Sequence, residues 1–194
     1  MVAVNAFLNV ELEFRLKQCY LNHRQPNEQR LAISNDVLGV RRPEREMLTG
    51  FLDWYRQVVA NKVEGLSLEQ ASTVMTPTGL SPLGVVKHLT SAEAGWFRDT
   101  FAGEPVGKVS NSNSFRLTPD ETVESVVTGY HDECAHSRRI TDAAPLLNDL
   151  SARAGEIHGH VSLRWILVHM VEETARHAGH LDLMRETLDG RTGD

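Results

Sequence analysis

The chain has 194 residues, a formal net charge of -6 at pH 7 and an isoelectric point near 5.8, so no basic face is left over for nucleic acid. Hydrophobic residues make up 41% and charged residues 24%, the ordinary balance of a soluble globular chain with one core. No apolar run of about eighteen residues is present to span a membrane, and no basic segment followed by an apolar block marks a signal peptide. With Cys19 and Cys134 far apart and no CxxC, the expectation is a cytoplasmic protein with two reduced thiols.

In chain order, residues 1–40 carry the weakest pattern. Val10, Leu12, Phe14 and Leu16 alternate with polar residues, but Asn5, Asn9, Asn22, Pro26 and Asn27 surround them. An isolated strand has nothing to pair with in a helical chain. This segment is expected to be a weakly ordered or peripheral extension, with a single domain over 41–194.

From Pro43 a helical stripe of Leu48, Phe51, Leu52, Tyr55, Val59 and Val63 runs to Gly65, with Pro43 suited to the first helical position. Ser67, followed by Glu69 and Gln70, predicts a short capped turn. Ser81-Pro82 opens a second helix through Leu83, Val85, Val86, Leu89, Ala92, Trp96 and Phe97, ending at Gly103. The run 104–116, with Pro105, Gly107 and SNSNS, reads as a surface loop. Thr118-Pro119-Asp120-Glu121 predicts the start of a third helix, whose inner stripe is Val123, Val126, Val127, Tyr130 and Cys134. A long connection over 143–161 then leads to the last helix, Ser162 to Leu188. Four long amphipathic helices with one long crossover predict an all-α four-helix bundle.

The last helix carries the chemistry. Leu163, Ile166, Met170, Leu181, Met184 and Leu188 form one apolar stripe, and Glu173, His177 and His180 fall within it. A carboxylate and imidazoles facing a core are costly unless paired. Their spacings of four and three let them converge on one point, the spacing of metal ligands on a bundle helix. On the second helix His88 lies at the edge of the apolar face, with small residues Gly84, Ala92 and Gly95 near it. Alone it reads as a core histidine bonded to a carbonyl; beside Glu173 and His177 it becomes a third ligand. His23 and His136 read as surface residues, His131 and His169 as helix flanks, and His158 and His160 as a solvated loop pair. Cys134 reads as packing, and Trp54, Tyr55, Trp96 and Trp165 as core aromatics or the lining of a cleft.

The histidine in KHLTSAEAGWF and the ExxxHxGH element of the last helix, together with GFLDWYR and GLSPLGVVKHLT, resemble the DinB-like superfamily over about Arg41 to Asp194. That superfamily includes thiol-dependent transferases and mycothiol-dependent maleylpyruvate isomerase. The resemblance implies a bundle holding a divalent metal through three side chains, here His88, Glu173 and His177. The family's common pattern, HxxxHxGQ, has Glu173 in its first position here, as the isomerase branch does. His180 stands where Gln is usual, as a fourth ligand or a group behind the ligands.

Two histidines and a carboxylate leave open positions on zinc, and nickel, manganese or iron accept the same donors. Such an ion lowers the pKa of water or holds a thiolate. The leading expectation is a metal-dependent transferase or isomerase using mycothiol or another small thiol, with Arg164, Arg176 or Arg185 able to hold a substrate carboxylate. The alternatives are a metal-dependent hydrolase and a non-catalytic metal-binding or stress-response protein. Without metal, Glu173 and His177 would pair in a polar core network. The expected partners are a small-molecule substrate and a second copy in a homodimer, with neither nucleic acid nor membrane.

Overall fold

In the computed structural model, residues 42–107, 111–155 and 158–193 are described; the extension expected over 1–40 lies outside them. Helix α1 spans Glu44–Val63, and a short α2 spans Leu68–Ser72. Helix α3 runs Pro82–Glu93 and continues as a π-helical stretch, Ala94–Ala102. A single turn, α4, covers Asn111–Ser114; α5 covers Val123–Ala143 and α6 Leu163–Asp189. Four long helices, α1, α3, α5 and α6, form the all-α bundle, and the described residues contain no named strand.

The helix ends follow the sequence closely. Ser67 and Gln70 form a capping box on α2, Ser81 caps α3 through the Gly84 N–H, and Ser162 caps α6 through Trp165. Gly103 and Gly190 end their helices with φ of 73° and 74°, a left-handed conformation that a side chain disfavours. Two starts differ from expectation. Pro43 is the cap before α1, one position ahead of the first helical residue. Helix α5 begins at Val123 because Thr122 and Ser125 form the capping box, whereas Glu121 turns back to accept from the Thr118 N–H at 2.7 Å.

Ion pairs fix the helix directions. Glu44 pairs with Arg164 at 2.7 Å and Lys62 with Asp182 at 2.5 Å, so α1 and α6 run parallel. Lys87 pairs with Glu121 at 2.8 Å and Arg98 with Glu133 at 3.2 Å, so α3 and α5 also run parallel. His88 on α3 meets Glu173 on α6, while Trp96 meets Trp165, so the two pairs oppose each other. The long crossover therefore joins α3 to its parallel neighbour α5 through 103–122. The segment 144–162 links helices of opposite direction, and within it Leu150 bridges to Ser162 just before α6.

The core has two apolar ends. One gathers Val59, Val63, Leu83, Val86, Leu89, Tyr130, Leu181 and Met184; the other gathers Leu52, Phe97, Leu163, Ile166, Leu167 and Met170. Between them lies a polar layer. Arg56 reaches Glu93 through two hydrogen bonds of 2.8 and 2.6 Å, both side chains almost wholly buried. Such a bidentate fork satisfies both charges where solvent cannot. Thr174 and Ser137 are buried at the same level, and it is at this level of α6 that Glu173 and His177 stand.

Candidate metal centre

Two opposed helices and one turn of the crossover build the site. His88 projects from α3 and is 8% exposed; His177 projects from α6 and is 6% exposed. His88 Nε2 lies 3.1 Å from Glu173 Oε1, and His177 Nε2 lies 3.3 Å from the same oxygen. The three donor atoms all fall within 4.8 Å of one another, and no other His, Cys, Asp and Glu cluster of this kind occurs among the described residues.

Each imidazole is also held from its far side. His88 Nδ1 is 2.8 Å from the hydroxyl of Ser114, itself buried. The Phe115 ring stacks flat on His88, with centroids 3.9 Å apart and planes 10° from parallel. His177 Nδ1 is 3.3 Å from Nδ1 of His180, so His180 stands behind His177 instead of joining the triad. Burial, then the neighbouring His177, lowers the pKa of His180. Arg176 donates to Glu173 Oε2 at 2.8 Å and to Glu172. Hydrogen bonds from His177 and His88 hold the Glu173 carboxyl well below the usual carboxylate range, against the effect of its partial burial. Glu173 is thus a carboxylate with one oxygen turned to the two imidazoles and the other to Arg176.

Gly84 makes room for this arrangement. A Cβ there would sit 2.5 Å from the Phe115 carbonyl oxygen, so only glycine lets the crossover close over His88. The small residue near His88 is therefore used, but by backbone passing beside the ring. Gly95 faces open space.

The donor set fits a divalent ion. Two imidazole nitrogens and a carboxylate oxygen suit zinc and other first-row metals, and ligating histidines typically engage their second nitrogen with a partner, as both do here.

The remaining candidates lie elsewhere. His160 Nδ1 is 2.7 Å from the Ser151 carbonyl, and His136 is 3.2 Å from Glu104. His158 and His169 border Trp165. Arg164 is taken up by Glu44 and Asn148. Arg185 is buried, bonded to Asp189 and to the Lys62 and Glu64 carbonyls. Of the three arginines considered for a substrate carboxylate, only Arg176 touches the triad. Trp54 and Tyr55 pack on the core. Cys134 is buried, and desolvation together with the Glu93 carboxylate pushes its thiol up to about 12. Two cavities, of about 140 and 490 Å³, lie along α1 and α5 and include none of the triad.

Ser114 and Phe115 are the site residues that sequence reading passes over. They sit in the SNSNSF run, which has loop composition and no period. Among the described residues no helix is long and apolar enough to cross a membrane.

Comparison with known proteins agrees with this architecture. A conserved protein from Enterococcus faecalis, solved by crystallography, superposes with a TM-score of 0.57 at 12% identity, covering 78% of this chain and all of that one. At that identity the likeness concerns the fold alone. No protein of curated function matches the chain significantly. Among families, residues 47–190 match the model of mycothiol-S-transferase. That match spans well over half of the chain, carries the DinB-like resemblance of its motifs, and shows that the chain belongs to the mycothiol-S-transferase family.

Proposed function

We propose that His88, Glu173 and His177 hold a divalent first-row ion, zinc foremost, and that the protein is a cytoplasmic enzyme transferring an electrophilic group to the sulfur of mycothiol or a related small thiol. One observation carries this reading. Both Nε2 atoms converge on a single carboxylate oxygen while both Nδ1 atoms meet partners behind the rings. Without an ion each Nε2 can donate its proton to that oxygen. With the proton on Nδ1 instead, two lone pairs and an anion face one point, where a cation would satisfy all three. A bound ion of this kind supplies the positive charge that keeps a thiol ionised at neutral pH.

The chain's own residues do the rest. Ser114 holds Nδ1 of His88, and Phe115 holds the plane of its ring. Arg176 occupies one oxygen of Glu173, leaving the other to the centre. His180 orients His177. In the transfer a sulfur–carbon bond forms, the bond to the leaving group breaks, and the thiol proton passes to solvent. The family match adds the thiol's class.

The test is a conjugation assay of the zinc-reconstituted protein with mycothiol and monochlorobimane. Product should form well above the rate of thiol and reagent alone, and His177→Ala should return it to that background. A wild-type rate no faster than background overturns the transferase reading. Thiol-independent cleavage of an activated ester by the same preparation would move the function to hydrolysis.

A further inference from the structure

Beside the triad the structure gathers an aromatic cluster that the proposed chemistry does not use. Trp165 and His169 lie with ring centroids 5.2 Å apart and planes 18° from parallel. Trp96 closes on both, at 5.2 Å from Trp165 and 4.8 Å from His169, and His158 borders Trp165 at 5.2 Å. Trp165 is 36% exposed, more than a packing role needs. Trp96 comes from the π-helical stretch of α3, a form frequent at functional sites.

The cluster is in register with the triad. Trp165, His169, Glu173 and His177 follow one another at intervals of four along α6, so His169 is about 6 Å and Trp165 about 12 Å from Glu173 along the axis. We propose that Trp96, Trp165 and His169 form the subsite for the sugar head of a thiol whose sulfur sits at the triad. This rests on the thiol-transferase reading above. In mycothiol the cysteine is joined by an amide to an amino sugar, so sulfur and ring are separated by roughly two residue lengths, about 7 Å. That distance brings the near edge of the ring level with His169, and the ring's own width extends it toward Trp165.

The chemistry of the shelf selects a sugar over an arene. A pyranose presents an apolar C–H face and a rim of hydroxyls. Trp165 offers a broad apolar face, and the two imidazoles offer polar edges beside it. Burial lowers the pKa of His169, so at neutral pH its ring carries both a donor and an acceptor nitrogen. An all-carbon ring would leave those edges without partners.

The test uses the cobalt-substituted full chain, reading the visible spectrum as thiol is added. Mycothiol is compared with N-acetylcysteine, which has the same thiol and no sugar. Wild type should bind mycothiol at least tenfold more tightly. Trp165→Ala should weaken mycothiol by about tenfold, the size of one stacking contact, and leave N-acetylcysteine unchanged. Trp165→Phe should restore most of the loss, since it keeps a stacking face. An equal loss for both thiols, or none for mycothiol, overturns the sugar subsite. A wild type that perturbs its cobalt spectrum with both thiols but prefers neither removes the subsite and leaves the transferase reading standing. Silence with both thiols removes the two together.

Discussion

Ser114 acts on the centre through one hydrogen bond, and its removal should show in affinity more than in folding. Ser114→Ala leaves Nδ1 of His88 without its partner and frees the ring to turn. Metal affinity, measured by competition with a chromophoric chelator, should fall by roughly 10- to 100-fold, the usual effect of losing a ligand's outer partner. An unchanged affinity would remove Ser114 from the site. Cys134 gives a second prediction at this scale. With its thiol pKa at about 12 against an ordinary 9.0, the folded state holds that proton more tightly than the unfolded one. Stability from this source is present below pH 9 and is lost as pH rises toward 12. Alkylation by iodoacetamide at pH 8 should therefore be negligible at Cys134 in the folded protein and rapid in urea. Fast labelling of the native protein would show that the residue is neither buried nor protonated. Glu173 and His177 were legible as a pair in the sequence because four-residue spacing on one helix brings side chains together whatever the rest of the chain does. His88, on another helix, joined them only beside that pair and through the family resemblance. Ser114 and Phe115 were not legible, because a loop that folds back over a helix leaves no periodic trace.

At the scale of elements, the bundle tolerates charge in its middle because Arg56 and Glu93 satisfy each other. Burial works against the Arg56 charge, but Glu93 raises its pKa above the ordinary value. Arg56→Met leaves a buried carboxylate alone and should cost about 3–5 kcal/mol in urea unfolding, whereas Arg56→Met with Glu93→Leu should recover most of that. If the single variant matches wild type, the pair is not buried as described. Gly84→Ala tests the join between α3 and the crossover. The new methyl meets the Phe115 carbonyl, and backbone cannot move aside as a flexible side chain can. Loss of metal affinity should accompany loss of stability, and unaltered values for both would place the crossover elsewhere. The four helices and their caps were readable from periodicity and from Ser, Pro and Gly at the right places. The start of α5 was missed by four residues because Thr118 and Thr122 offer competing caps, and Glu121, already bonded to the Thr118 N–H and to Lys87, settles the choice. Both Arg56 and Glu93 lie on apolar stripes, between Leu52 and Val59 and between Leu89 and Phe97, so this pair was within reach of the sequence.

Across the described bundle, two parallel helix pairs of opposite direction enclose a polar layer between two apolar ends. The bundle class follows from amphipathic pattern alone. Pair directions do not, because they depend on which ion pairs form across helices, and those residues are far apart in sequence. The triad itself is a carboxylate held ionised with two imidazoles aimed at it, supported from α4 and from α6 itself. Metal binding at the triad is tested most directly by elemental analysis of tag-free protein after reconstitution and desalting, beside a Glu173→Ala, His177→Ala double variant whose fold is verified by circular dichroism. About one equivalent of a divalent transition metal is expected in wild type and none in the variant. Wild type without metal, or a variant that retains the full equivalent, would rule out metal binding by the triad.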